Sequence, residues 1–126
     1  MTITSSGNIT TQGGFAHGIA VVEAIGYKLV QITTHGTIKT GDSGSAGISV
    51  ANSLADVDII AQGSIYTDNE ASHGIQVQDT SGKISVTTSG GLIRIGGPSS
   101  RGIYVINTHG DVSVEAGGEI NTYEKS

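Results

Sequence analysis

The sequence predicts an all-β fold, a right-handed parallel β-helix (solenoid) of about four and a half coils with 27–29 residues in each. Ile and Val together number 27 against three Leu, and β-branched side chains favour strands over helices. A Gly-Ile-x-Val motif occurs four times, with its Ile positions 29, 27 and 28 residues apart. A second marker, Ile or Val followed four positions later by Gly, occurs five times at spacings of 29, 27, 27 and 28.

The two repeated markers place equivalent residues of successive coils in the same columns. The Gly-Ile pairs begin at Gly18, Gly47, Gly74 and Gly102. The second marker stands at Ile3, Ile32, Ile59, Val86 and Val114. Six positions after it stand Ile9, Ile38, Ile65, Leu92 and Ile120, and eight positions after it stand Thr11, Thr40, Thr67, Arg94 and Thr122. A unit of this length cannot bury its own apolar face, so the coils are expected to stack.

Each coil is expected to contain three short strands, which in the second coil are residues 30–32, 38–40 and 48–50. Apolar and polar residues alternate there, which predicts one buried face. Corners rich in Gly, Asn, Asp and Ser separate the strands, as turns require. We expect the repeated Gly of the first corner to take a positive φ, and the Thr column to form an inward ladder bonded to itself. A left-handed β-helix has coils of about 18 residues built from six-residue repeats, so the period favours right-handed winding.

Composition and charge exclude several classes of function. Cysteine is absent, which excludes disulfide scaffolds and thiolate metal sites. Only 13% of residues are charged and the net charge is −5, so nucleic acid is not an expected partner. No apolar run is long enough to insert into a membrane. His17 and His73 share a column two coils apart, about 9–10 Å, too far to share a metal ion, and we expect them to be solvent-exposed corner residues.

The carboxylates do not form a catalytic cluster in the predicted columns. Asp56, Lys83 and Asp111 align in successive coils as a row of alternating charge, with Asp58 nearby, and such surface pairs contribute little. A Gly-Asp-Ser corner around Asp42 is ordinary turn chemistry. No insertion is long enough to wall a deep substrate pocket. We therefore expect neither an enzyme nor a bound metal or cofactor.

The surface candidates are the few exposed aromatic residues and their neighbours. Tyr66 and Tyr104 each fall between inward residues and are expected to point outward. Exposed tyrosines can stack on sugars or contact proteins. Tyr66, Ile93 and Arg94 are expected to form a strip that binds a glycan or a protein. The outward columns lack regular ranks of Thr, which argues against an ice-binding face.

Two segments, residues 9–21 (ITTQGGFAHGIAV) and 32–50 (ITTHGTIKTGDSGSAGISV), resemble passenger-domain repeats of bacterial type V autotransporters. Those repeats run as G-x-I-x-T-x-G, a short Gly/Asp/Ser corner, and then H/Y/S-G-I. The resemblance implies a single β-helix domain over residues 1–126, cut from a longer passenger that is secreted or displayed at the outer membrane. It implies a stalk or adhesin with a role in virulence, and a host surface protein or glycan as partner.

Two further expectations remain open at this point. The alternative function is a carbohydrate-active or carbohydrate-binding β-helix, such as a polysaccharide lyase or a phage tail-spike, which would need an acidic cluster on one face. Open coils expose unpaired strand edges at both ends, and proteins normally cover such edges. We therefore expect end-to-end self-association, or caps formed by residues 1–7 and 123–126.

Overall fold

Fourteen strands wind into a parallel β-solenoid of about four turns, as the sequence predicts. The computed structural model describes residues 1–122. Among these residues no helix forms that could cross a membrane. The strands are β1 (Thr2–Ser5), β2 (Ile9–Thr11), β3 (Ile19–Val22), β4 (Leu29–Thr34), β5 (Ile38–Thr40), β6 (Ile48–Ala51), β7 (Asp56–Ala61), β8 (Ile65–Thr67), β9 (Ile75–Thr80), β10 (Ile84–Thr88), β11 (Leu92–Ile95), β12 (Ile103–Thr108), β13 (Val112–Ala116) and β14 (Glu119–Thr122).

The strands form three parallel sheets, one along each side of the solenoid. Sheet A has the order β1-β4-β7-β10-β13, sheet B the order β2-β5-β8-β11-β14, and sheet C the order β3-β6-β9-β12. Each strand therefore pairs with strands one coil away and never with its neighbours in sequence. In sheet C, Ile48 lies between Ile19 and Ile75, and Ile75 is followed by Ile103. This confirms the predicted stacking of like side chains.

A continuous apolar core fills the space between the three sheets. Ile32, Ile48, Ile59, Ile65 and Ile75 are each 0% exposed. Apolar area of this kind stabilises the fold by about 25 cal/mol for each Å² removed from water. Because one column supplies the same residue type in every coil, the side chains pile up in files along the axis, and the repeated Ile and Val positions are explained by this packing.

The register of the fourth coil differs from the sequence prediction by one residue. In sheet B, Ile93 pairs with Ile65 and Ile95 pairs with Thr67, whereas the predicted columns contained Leu92 and Arg94. Four residues separate Thr88 from Ile93, whereas three separate their partners Ala61 and Ile65, and Gly90 takes a positive φ of 76° in this longer corner. Ile93 is consequently 2% exposed. Its predicted place on the surface is wrong.

The repeated glycines of the first corner are needed for close stacking rather than for a positive φ. Of the five predicted glycines, Gly7, Gly36, Gly63, Gly90 and Gly118, only Gly90 has a positive φ, so the prediction is wrong for the other four. In the fourth coil Gly91, rather than Gly90, is the residue that stacks against Gly63. A Cβ on Gly63 would overlap the carbonyl oxygen of Gly36 in the preceding coil. The residue is glycine because the backbones of successive coils meet at this corner with no room for a side chain.

Left-handed backbone conformations align in two other columns, one residue in each coil. The first column, at the corner between sheets B and C, contains Phe15, Gly44, Ala71 and Ser99. The second, at the end of the sheet C strands, contains Glu23, Asn52, Asp79 and Asn107. The side chain of Asn107 donates a hydrogen bond of 3.1 Å to the carboxylate of Asp79. Two corners of the coil thus repeat an unusual backbone geometry that the sequence motifs do not reveal.

The predicted Thr column does point inward, but its hydroxyls do not bond to one another. Thr40 and Thr67 are 1% and 0% exposed. The hydroxyl of Thr67 donates to the carbonyl of Ser72 at 3.0 Å, five residues on in the same coil. Other buried hydroxyls, those of Thr34, Thr80 and Thr88, have no hydrogen-bond partner among residues 1–122. Each unpaired hydroxyl of this kind costs about 1–3 kcal/mol.

The first seven residues do not form the predicted cap. They contain β1, the edge strand of sheet A, which pairs with β4. Residues 123–126, the other predicted cap, lie outside the described part of the chain. Among residues 1–122, β13 and β14 have one neighbouring strand each, and Val112, Val114 and Ile120 are 40–46% exposed there.

Candidate functional site

The outer face of sheet B carries the strip that contains two of the predicted surface residues. Lys39, Tyr66 and Arg94 occupy one outward column in successive coils. With Thr37 and Asp68 they line a shallow depression of about 360 Å³. In the structure Tyr66 and Arg94 therefore lie together, with Lys39 beside them, whereas Ile93 lies in the core. That this Tyr66 strip binds a partner remains a prediction.

Tyr104 lies on a different face from Tyr66, on the outside of sheet C. Its ring centroid is 4.7 Å from the imidazole centroid of His73. The guanidinium carbon of Arg101 lies 4.4 Å from the same tyrosine ring centroid. A cation over an aromatic face contributes about 0.5–2 kcal/mol. Tyr104 thus belongs to a packed cluster with Arg101 and His73 rather than to the Tyr66 strip.

Two histidines join successive coils at the corner before sheet C. The backbone N–H of Ala46 donates to Nδ1 of His17 at 2.8 Å, and the N–H of Arg101 donates to Nδ1 of His73 at 3.0 Å. His73 is 6% exposed, so its predicted solvent exposure is wrong, and His17 is half-buried. Burial lowers the pKa of both imidazoles, and the charge of Arg101 lowers the pKa of His73 further.

Lowering the pH is therefore expected to destabilise the solenoid through these two groups. The unfolded chain takes up protons near a histidine pKa of about 6.5, whereas the folded imidazoles have lowered pKa values and resist protonation. Their contribution is fully present above about pH 6.5 and is lost as the pH falls through the lowered values. Urea unfolding at pH 7.5 and pH 5 measures this loss.

Substitution of both histidines provides the control for this pH effect. Asparagine offers a hydrogen-bond acceptor that does not titrate, so the double variant His17→Asn, His73→Asn should lose most of the dependence of the unfolding free energy on pH in this range. A double variant with the wild-type pH dependence would contradict the assignment.

The predicted row of alternating charge lies where the strands of sheet A begin. Val57 pairs with Ile84 and Ile84 with Val112, which stacks the preceding residues Asp56, Lys83 and Asp111 as predicted. The carboxylate of Asp56 accepts a hydrogen bond of 2.8 Å from the backbone N–H of Lys83. This is a turn-stabilising contact between coils. Within residues 1–122 no group of three or more His, Asp or Glu side chains could hold a metal ion.

No family model, curated protein or solved structure matches this chain. The resemblance to autotransporter passengers therefore depends on the repeated sequence motifs alone.

Proposed function

We propose that the chain is a non-enzymatic stalk segment with an adhesive surface, from a secreted or surface-displayed autotransporter passenger. The observation that carries the proposal is the unbroken stacking of every coil on the next, with five strands in each of sheets A and B and four in sheet C. Such an array is extended by adding coils, at about 4.8 Å for each. A rod of this kind serves to hold other modules at a distance from a membrane.

The buried residues support a structural role more than a catalytic one. The fully buried side chains of largest volume are all Ile and Val. Buried hydroxyls and imidazoles such as those of Thr67, Ser72 and His73 are engaged with backbone groups of the same or an adjacent coil. The surface depressions are shallow and open. These features favour a rigid scaffold that presents a regular exterior.

The adhesive part of the proposal is supported by the Tyr66 strip. An amphipathic ring between the two cations Lys39 and Arg94 is suited to contact with proteins and glycans. The partner we propose is a host surface protein or glycan. In a polypeptide of these 126 residues we also propose end-to-end self-association through the edges of β1 and β13, which sedimentation velocity over a range of concentrations would detect.

Deletion of one whole coil tests the stalk. Removing residues 57–83 joins Asp56 to Ile84, which then takes the place of Val57 opposite Val30. We expect a folded solenoid shorter by about 4.8 Å. Removing residues 57–69 is the control, because it breaks every column downstream and should unfold the chain. Unfolding in both cases, as seen by circular dichroism, would contradict a modular stalk.

Display of the chain on a bacterial surface tests adhesion and the enzymatic alternative together. Displayed chain should increase attachment to host cells or to surfaces coated with their glycans, and Tyr66→Ala should reduce it. The matched control is Tyr27→Ala, which removes an exposed tyrosine far from the strip in sequence. Release of unsaturated sugars from acidic polysaccharides by the purified chain would instead support the lyase type of β-helix and contradict the proposal.

A further inference from the structure

The outer face of sheet C contains a groove that runs along the second coil. The outward side chains of this coil are small at every position between the corner and the end of β6. They are Gly44, Ala46, Ser49 and Ala51. The third coil carries His73, Gln76 and Gln78 in three of these columns and Ala71 beside Gly44. The first coil carries Phe15, His17 and Val22 in three of them and Ala20 beside Ser49, so the wall on that side is low at its middle. The difference in side-chain size between adjacent coils creates the groove.

The groove has a recessed floor and an apolar rim. Ser49 and Ala51 at the floor are 7% and 8% exposed, whereas Phe15 and Val22 on the rim are 80% and 63% exposed. The volume is about 390 Å³. The backbones of the two walls lie two coil spacings apart, about 9.6 Å. These dimensions suit a single extended chain lying across the axis of the solenoid.

The rim aromatic is held in place by the glycine beside it. A Cβ on Gly44 would lie 2.6 Å from Cε1 of Phe15, so the phenyl ring packs over the glycine. Phe15 has a φ of 57°, one of the left-handed residues of this corner. Because the backbone fixes the direction of the side chain and Gly44 leaves room beneath it, the exposed ring lies at the mouth of the groove.

The polar groups of the groove are uncharged donors and acceptors. None of the residues that line it is Asp, Glu, Lys or Arg. Because Nδ1 of His17 and of His73 accepts a backbone N–H, each neutral imidazole carries its proton on Nε2, which is then a donor. The side-chain amide of Gln76 donates to that of Gln78 at 2.9 Å, and the pair keeps further donor and acceptor capacity.

We propose that this groove binds a neutral linear oligosaccharide. Sugar hydroxyls pair with the amides of Gln76 and Gln78 and with the imidazole N–H groups, and the apolar face of one sugar ring packs against Phe15. The lining contains no Lys or Arg that could pair with an anionic glycan. A peptide that binds by strand addition needs a free strand edge for its backbone, and the face of a sheet offers none. The inference goes beyond the proposed function, because the groove on sheet C is a second binding surface, separate from the Tyr66 strip on sheet B.

Titration of the 126-residue chain with soluble tetrasaccharides, followed by ¹⁵N NMR, tests the proposal. The neutral probes are cellotetraose and maltotetraose, and the charged probe is tetragalacturonate. We expect saturable shifts of the groove amides with a neutral probe at millimolar concentration and weaker binding of the charged probe. No saturable shift with either neutral probe, or tighter binding of tetragalacturonate, would overturn the proposal.

Two matched substitutions fill the groove or leave it open. Ser49→Gln places in the groove the residue that the third coil carries in the same column, Gln76, and should weaken neutral-sugar binding at least tenfold. Ser85→Gln makes the same change on the outer face of sheet A, in the column of Gln31, and should alter affinity less than twofold. Equal affinities for the two variants would overturn the proposal.

A third variant tests the rim, and an adhesion assay separates the two proposals. Phe15→Ala should weaken binding about three- to tenfold, the range expected for one stacked ring, and Ala71 shows that alanine adopts this backbone conformation with φ 53°. If the wild-type chain shows no saturable binding of a neutral sugar but adheres to cells and loses adhesion with Tyr66→Ala, the groove proposal fails while the adhesive stalk remains. If wild type binds the sugar but does not adhere to cells or glycan-coated surfaces, the adhesive role fails.

Discussion

Replacement of Ile59 by alanine is expected to lower the free energy of unfolding by about 2–5 kcal/mol. Ile59 is 0% exposed and lies in β7, the middle strand of sheet A, between Ile32 and Val86. The backbone ladders on both sides fix the spacing of the coils, so the neighbouring side chains cannot collapse fully into the space left behind. Urea unfolding at pH 7.5, followed by circular dichroism, measures the change.

The next residue in the same strand provides the control. Ile60 takes part in the same ladder but points to the outer face of sheet A, where Thr33 and Thr87 flank it. Ile60→Ala makes the identical chemical change and should cost less than about 1 kcal/mol. Equal losses for the two variants would show that Ile59 does not face a packed core and would contradict the stacking of the coils.

Gly63→Ala is expected to destabilise the solenoid by about 3 kcal/mol or more, at or above the upper end of the range for overpacking. The new Cβ would overlap the carbonyl oxygen of Gly36 and lie 2.7 Å from both the carbonyl carbon of Gly36 and the carbonyl oxygen of His35. All three atoms belong to the backbone of the preceding coil. The two coils must separate at this corner, which strains the ladder between β5 and β8.

Gly7→Ala is the matched substitution in the same column. Gly7 lies in the first coil, and a Cβ there would meet no atom within 4 Å. It does not have a positive φ, so alanine should change the free energy of unfolding by less than about 0.5 kcal/mol. Thermal and urea unfolding of the two variants would distinguish stacking from local backbone strain. A large loss for Gly7→Ala would contradict the role assigned to this column.

The period of the sequence predicted the fold because equivalent positions in successive coils have the same environment, either buried or exposed. Columns such as Ile19, Ile48, Ile75 and Ile103 pair as expected. The right-handed winding stays a prediction. The fourth coil was misaligned because the column spacing was continued unchanged across a longer corner. The alternation of Leu92-Ile93-Arg94-Ile95 favours the observed register, which buries Ile93 and Ile95 and leaves Arg94 exposed. The longer corner near Gly90 produces the shift, and corner length does not appear in a column of apolar residues.

The site residues were less predictable because they depend on contacts between coils. The burial of His73 follows from a hydrogen bond to Arg101 and a ring contact with Tyr104, both in the next coil. The groove depends on a difference in side-chain size between three adjacent coils, which becomes visible once the columns of sheet C are fixed. A closer comparison of Ser49 with Gln76 in aligned repeats could have indicated it.

The pairing of every strand with a strand 27–29 residues away has a kinetic consequence. Divided by the length of the chain, this separation gives a relative contact order of about 0.2, in the range of slowly folding all-β proteins. No ladder can close until the chain has wound through one full coil, so the first closure must overcome the entropy of a long loop. Each later coil then pairs with strand edges that are already formed. Its addition therefore resembles templated growth more than a new conformational search.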